Sequence, residues 1–238
     1  TDMSKEVKTE WITVAAGDSQ TCDAYLALPP AGSGPGIVLF QEIFGVNAHI
    51  QGVAEQYAQD GFTVLAPDLF WRQQKRVELA YDGEDRTRAV ALMKELKPAQ
   101  LQADIRSSVA ALRARAETAG RKVGALGYCL GGRLAYTAAA ITDVDAAVAY
   151  YGGGIHDQLA LAPSLQCPIQ FHYAASDESI PPAAVQSVRA AVAGKDAEVF
   201  VYEGANHGFN CWDRGSYHPA SAALAHGRAL AFLASRLF

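Results

Sequence analysis

The sequence predicts an α/β fold: a mostly parallel central sheet with helices on both faces and an N-terminal β-hairpin. Three observations carry that expectation. Short apolar runs, such as Gly36–Gln41 (GIVLFQ), have the composition of strands buried on both faces. Other stretches repeat apolar residues at helical spacing, as Leu101, Ile105, Val109 and Leu112 do. The two kinds alternate along the chain, which implies parallel strands joined by helical crossovers.

Taken in order, Glu10–Val14 and Cys22–Leu28 read as the hairpin, with Ala-Gly-Asp-Ser between them as its turn. Pro29–Pro35 then breaks the chain. Gly36–Gln41 is a strand, Ile50–Asp60 a helix ended by Gly61, and Phe62–Ala66 a strand stopped by Pro67-Asp68. Leu69 to about Gly83 has no clean period and reads as a loop. Glu84–Leu96 is a helix. Pro98 opens another, where its missing N–H is not needed. Lys122–Leu126 is a strand, followed by a helix face of Leu130, Leu134, Ala138 and Ile141. Strands at Ala146–Tyr150, Pro168–Tyr173 and Glu198–Val201 alternate with a helix at Ala183–Val192. A last helix runs from about Ala220 to Phe238.

The chain has 238 residues and no linker-like stretch, so one domain over 1–238 is expected. Its net charge is −5 and no basic block occurs, which argues against nucleic acid or an anionic membrane as partner. No run approaches the roughly 18 apolar residues of a membrane span. Thr1–Glu10 is polar, without an apolar stretch of signal-peptide type. Cys22, Cys129, Cys167 and Cys211 are widely spaced, with no C-x-x-C pair, which speaks against structural zinc and for free thiols in a reducing compartment. The expectation is a cytoplasmic monomer or homodimer that acts on a small molecule.

In parallel sheets ligands sit beyond the C-terminal strand ends. That rule singles out Glu42, Asp68, Cys129, Asp177 and His207. Residues 127–131 read Gly-Tyr-Cys-Leu-Gly, followed by Gly132. This is the G-x-S-x-G nucleophile elbow of α/β-hydrolases, with Cys for Ser. Gly127 and Gly131 lack Cβ atoms, so strand and helix can approach closely there. The turn aims a helix N-terminus at the reacting centre, which favours thiolate and oxyanion alike. The N–H of Leu130 is a natural oxyanion-hole donor. The structural alternative is a buried, inert Cys129 beside close-packed glycines.

Asp177 follows the strand ending at Tyr173 and can orient a catalytic imidazole, or cap a turn. His207 lies in Gly204-Ala205-Asn206-His207-Gly208-Phe209, just beyond the last strand. Of six histidines it alone has this position; His172, inside a strand, reads as core. The order Cys129, Asp177, His207 is the nucleophile–acid–base order of α/β-hydrolases.

These residues resemble the dienelactone hydrolase (carboxymethylenebutenolidase) family. The resemblance rests on Gln41-Glu42-Ile43-Phe44-Gly45-Val46-Asn47, Gly127-Tyr128-Cys129-Leu130-Gly131-Gly132 and Ala205-Asn206-His207-Gly208-Phe209. Pro67-Asp68-Leu69 and Tyr150-Tyr151-Gly152 also fit, and Tyr151 is carried over as a substrate contact. The resemblance implies an α/β-hydrolase fold. It implies that Glu42 contacts the thiol and takes part in its activation when substrate binds, and that the Ile43 N–H is the second oxyanion donor. It further implies two arginines on a substrate carboxylate. Arg86 fits the first position best, with Arg72 and Arg88 as neighbours. At the second position stands Cys211, with Arg214 three residues on, so either Arg214 substitutes or the anion site is weaker. Trp71 and Trp212 are candidate pocket walls.

The expected chemistry is hydrolysis of a small, carboxylated lactone or ester through a Cys-His-Asp triad and a thioester acyl-enzyme, with no metal or organic cofactor. An acyltransferase would use the same cysteine with another acceptor. A non-catalytic ligand-binding protein on this fold is a third reading, against which all three triad positions are filled.

Overall fold

Hydrogen bonding joins eight strands into one sheet, in the order β1-β2-β4-β3-β5-β6-β7-β8. The computed structural model describes residues 6–238, so half of the polar stretch read over Thr1–Glu10 lies outside the described residues. β1 (Lys8–Ala15) and β2 (Thr21–Leu28) form the expected antiparallel hairpin, and β2 pairs antiparallel with β4 (Thr63–Pro67). β3 (Gly36–Phe40), β4, β5 (Val123–Tyr128), β6 (Ala146–Tyr150), β7 (Ile169–Ala174) and β8 (Ala197–Tyr202) are parallel. Every residue of β3 to β7 is buried, which is why these segments read as unbroken apolar runs.

Six helices cover the sheet: α1 (Ala48–Gln59), α2 (Gly83–Lys94), α3 (Pro98–Arg113), α4 (Leu130–Ile141), α5 (Pro182–Ala191) and α6 (Pro219–Leu237). α1 begins two residues before the expected start because the Asn47 side chain caps it, accepting from the Ile50 N–H at 3.2 Å. In α3 the apolar stripe Ile105, Val109 and Leu112 is at most 3% exposed, so each side chain contributes about 1.5–3 kcal/mol of burial. α1 and α6 meet through Tyr57 and His226, whose ring centres are 5.4 Å apart. His172 is a satisfied core residue, bonded by Tyr202 at 2.8 Å and Gln170 at 2.6 Å. Three short 3₁₀ segments, Ala116–Thr118, Ile155–Asp157 and Leu159–Ser164, are too short for periodicity to find. None of the described helices is long and apolar enough to cross a membrane.

The β5–α4 junction sets the position of the chemistry. Cys129 has φ 60° and ψ −120°, a conformation that costs a non-glycine residue about 1–3 kcal/mol. Backbone packing holds it there. A Cβ on Gly127 would lie 1.9 Å from the Gly131 carbonyl oxygen. One on Gly131 would lie 2.1 Å from that of Phe40, and one on Gly132 2.2 Å from that of Tyr150. The Cys129 N–H donates to the Tyr150 carbonyl at 3.0 Å, which ties the turn to β6.

Gly131→Ala must displace backbone rather than a flexible side chain, so it is expected to lower the unfolding free energy by at least about 2 kcal/mol. Gly227→Ala, inside α6 with nothing within 4 Å, should raise it by about 0.5–1 kcal/mol. Urea unfolding of both variants reads the opposite signs, and a neutral Gly131→Ala would contradict the packing account.

Candidate active site

Three loops at the C-terminal ends of β5, β7 and β8 bring Cys129, Asp177 and His207 together. His207 Nε2 is 3.1 Å from Cys129 Sγ, and His207 Nδ1 is 2.6 Å from Asp177 Oδ2. The second Asp177 oxygen accepts from the Ser179 N–H at 2.8 Å, so the residue both caps its own turn and holds the imidazole. The Ser176 N–H donates to the Ala205 carbonyl at 3.0 Å and fixes the two loops to each other.

The charges follow from this chain of contacts. Burial pushes the Cys129 thiol up, but the His207 charge and hydrogen bond outweigh it, and the thiol lies below its ordinary value. Burial disfavours the imidazolium, yet the Cys129 and Asp177 partners push His207 up to about 10. Both directions favour a thiolate–imidazolium pair at neutral pH.

Glu42 is fully buried and held below the usual carboxylate range: burial opposes ionisation, and the adjacent Arg214 charge overcomes it. Its oxygens are bound by the Tyr81 hydroxyl at 2.6 Å and Arg214 Nη2 at 2.7 Å. Glu42 makes no hydrogen bond to the thiol: Cys129 bonds His207, and the carboxylate is turned to Tyr81 and Arg214. Glu42, His49 and Cys211 offer ligand atoms within 4.8 Å of one another, the donor set among the described residues with metal-like spacing. Its carboxylate is already satisfied, and a cation there would meet the Arg214 charge.

Two adjoining cavities of about 410 and 320 Å³ open onto His207 and share Arg86, Ser179 and Arg214. The smaller contains Cys129, Leu130 and Ile43. The N–H groups of Leu130 and Ile43 donate to no other backbone group of the described chain. Of the three arginines left open by sequence, Arg86 lines the cavities. Arg72 is bound to Asp104 at 2.6 Å and Asp18 at 3.0 Å, and exposed Arg88 donates to Gln74. Arg214 stands where Cys211 cannot serve. Burial pushes the Cys211 thiol up to about 12.

Other expectations need correction. Trp212 does not line the cavity: its ring lies over His49, with centres 4.3 Å apart, and against Gly52 on α1. Trp71 is core, donating to Asp104 at 3.2 Å. Tyr151 is fully buried beside His207, with ring centres 5.1 Å apart, and does not line either cavity. Asp68 caps the turn after β4, accepting from the Arg76 N–H at 2.7 Å and the Phe70 N–H at 3.2 Å, and burial raises it to about 6. Sequence reasoning missed Tyr81, whose distance in sequence from Glu42 hides the pair. It also missed Arg133, whose spacing of one helical turn from Cys129 was the available signal.

The model of the dienelactone hydrolase family matches residues 22–237. A carboxymethylenebutenolidase of Pseudomonas putida is 35% identical over 229 residues, covering 95% of this chain and 96% of that protein. A protein of Azospirillum brasilense, described as a candidate carboxymethylenebutenolidase, is also 35% identical, over 95% of this chain and 98% of its own length. The crystal structure of a candidate dienelactone hydrolase from Klebsiella pneumoniae superposes with a TM-score of 0.85 at 32% identity, covering 96% of this chain and 98% of that one. The chain belongs to the dienelactone hydrolase family, and with it to the enzymes that hydrolyse lactones and esters on the α/β-hydrolase fold.

Proposed function

We propose that this enzyme hydrolyses small lactones or esters that carry a carboxylate, through a Cys129–His207–Asp177 triad and a thioester intermediate. The observation that carries the reading is the 3.1 Å contact between the His207 ring and the Cys129 sulfur, with Asp177 behind the ring.

The Cys129 thiolate attacks the substrate carbonyl carbon. The oxyanion that forms meets the N–H groups of Leu130 and Ile43, the first of these aided by the α4 N-terminus. Collapse of the tetrahedral adduct expels the enolate or alkoxide, which takes its proton from the His207 imidazolium, and leaves a Cys129 thioester. Neutral His207 then accepts a proton from water as the water attacks the thioester. Collapse of the second adduct releases the acid and restores the thiolate–imidazolium pair. An enolate leaves more readily than an amine, so lactones and activated esters suit a thiolate nucleophile.

Arg86 and Arg214 supply the charge for the substrate carboxylate. Arg214 is also the partner of Glu42, and its Nε has no acceptor in the protein. A substrate carboxylate therefore competes with Glu42 for one guanidinium. Binding loosens the buried carboxylate beside the thiol and links activation to substrate, in keeping with the role that the family resemblance gives Glu42. Such linkage limits wasteful oxidation of the thiolate.

A panel of small lactones and activated esters, with and without a carboxylate, tests the reading. Wild type should turn over both kinds and favour the carboxylated ones; Cys129→Ala should release no leaving group. Arg214→Gln should shrink the preference by about tenfold, the scale of one charge-assisted contact. Turnover that survives Cys129→Ala overturns the nucleophile. Product analysis with an added alcohol separates hydrolysis from acyl transfer.

The pH dependence is a second test. The thiol lies below its ordinary value because of His207, so thiolate is present above that depressed pKa and lost as pH falls through it. Alkylation of Cys129 by iodoacetamide should stay fast well below the ordinary thiol range. In His207→Gln only the Arg214 charge still opposes burial, and the profile should move up by more than one pH unit, that is by more than about 1.4 kcal/mol. Superimposable profiles would contradict the ion pair.

A further inference from the structure

We propose that Arg133 forms a second anion subsite beside Cys129, so that the preferred substrates carry two anionic groups, one at Arg86 and Arg214 and the other at Arg133. This rests on the reading above and extends it from a carboxylated ester to a dianionic one.

Arg133 lies on α4 one helical turn after Cys129, which sets both side chains on one side of the helix. It lines the 320 Å³ cavity that contains Cys129, and also a cavity of about 220 Å³ behind it, but not the 410 Å³ cavity around Tyr81 and Asn206. The guanidinium therefore sits at the other end of the site from Tyr81.

Its surroundings give it no carboxylate partner at ion-pair distance. Among the described residues, Arg72, Arg76, Arg113, Arg115 and Arg214 each have a carboxylate within 4.0 Å. Arg133 has none, and its side chain makes no hydrogen bond. Asp157 is near enough to act on its charge but lies against His156 at 3.8 Å instead. Gly154, whose φ is +86°, leaves room for the side chain: a Cβ there would be 2.9 Å from Arg133 Nη1. Burial lowers the Arg133 pKa, and the Cys129 and Asp157 charges offset that only in part.

A partly buried, unpaired guanidinium in a reacting cavity is stabilised by an anion that the ligand brings. The same cavity is lined by the apolar side chains of Ile43, Phe44, Val90 and Met93. That lining suits a short hydrocarbon chain joining two carboxylates, with the scissile carbonyl between them at Cys129.

Calorimetric titration of the Cys129→Ala protein tests the subsite without turnover. The probes are succinate, glutarate and adipate, each against the monocarboxylate of equal chain length. At least one dicarboxylate should bind about tenfold tighter than its monocarboxylate, or better. Adding Arg133→Met or Arg133→Gln should bring that ratio close to one, and Arg133→Lys should keep part of it. Thermal unfolding confirms that the variants are folded. No preference in the Cys129→Ala parent overturns the proposal, as does a preference that survives in both Arg133→Met and Arg133→Gln. Wild-type enzyme that hydrolyses no ester would remove the proposed function but leave this binding result to be read on its own.

Discussion

The close crossing of backbone between residues 127 and 132 is the constraint on which the site depends. Cys129 occupies a conformation that L-residues avoid, and β5 and α4 hold it there because three glycines meet carbonyl oxygens at distances no side chain tolerates. Those carbonyls belong to β3, to α4 itself and to β6, so the strain is balanced by the middle of the sheet rather than by the loop alone. The result is a sulfur raised above the strand ends and a helix N-terminus behind it. A looser junction would leave the thiol free to turn away from His207, and the electrostatic coupling between them falls steeply with distance.

Two buried charge groups share the space that this junction creates. One runs from Asp177 through His207 to Cys129; the other from Tyr81 through Glu42 to Arg214. In the first the imidazolium lies between two anions, and in the second the Glu42 and Arg214 charges cancel, which lets several ionised side chains coexist where water is scarce. They are nevertheless coupled, since Glu42 pushes the thiol up and Arg214 pulls it down. A ligand that rearranges the second group therefore changes the nucleophile without touching it. Arg133 stands outside both groups and, like Arg86 in the same cavity, has no ion pair with a carboxylate of the described residues.

Much of the fold and the centre of the site could be read from the sequence, because both depend on local patterns. The apolar runs of β3 to β7 are buried on both faces, and the alternation of strand and helix dictates their direction. Cys129, Asp177 and His207 each follow a strand, and their order along the chain is a topological signature. The rest depends on side-chain direction and distant pairing. Arg214 reaches Glu42 across 172 positions, and no local motif marks that pair. Trp212 is a candidate pocket wall as a residue type, yet its ring packs against His49. Tyr151 follows its strand as a ligand-contacting residue would, but its φ of 31° turns the ring beside His207. Arg72 and Arg86 are indistinguishable as residue types; only the buried Asp104 separates a structural cation from an available one.

The central claim is covalent: Cys129 carries the acyl group between the two halves of the reaction. The most direct measurement is the intact mass of His207→Gln protein, acid-quenched after mixing with an activated ester, followed by peptide mapping. Without the base that activates water, the account expects one acyl group per chain, on the peptide that contains Cys129, released by hydroxylamine as a thioester. Acylation on any other residue, or wild-type turnover with no acyl adduct trapped on Cys129 under any quench time, would contradict it.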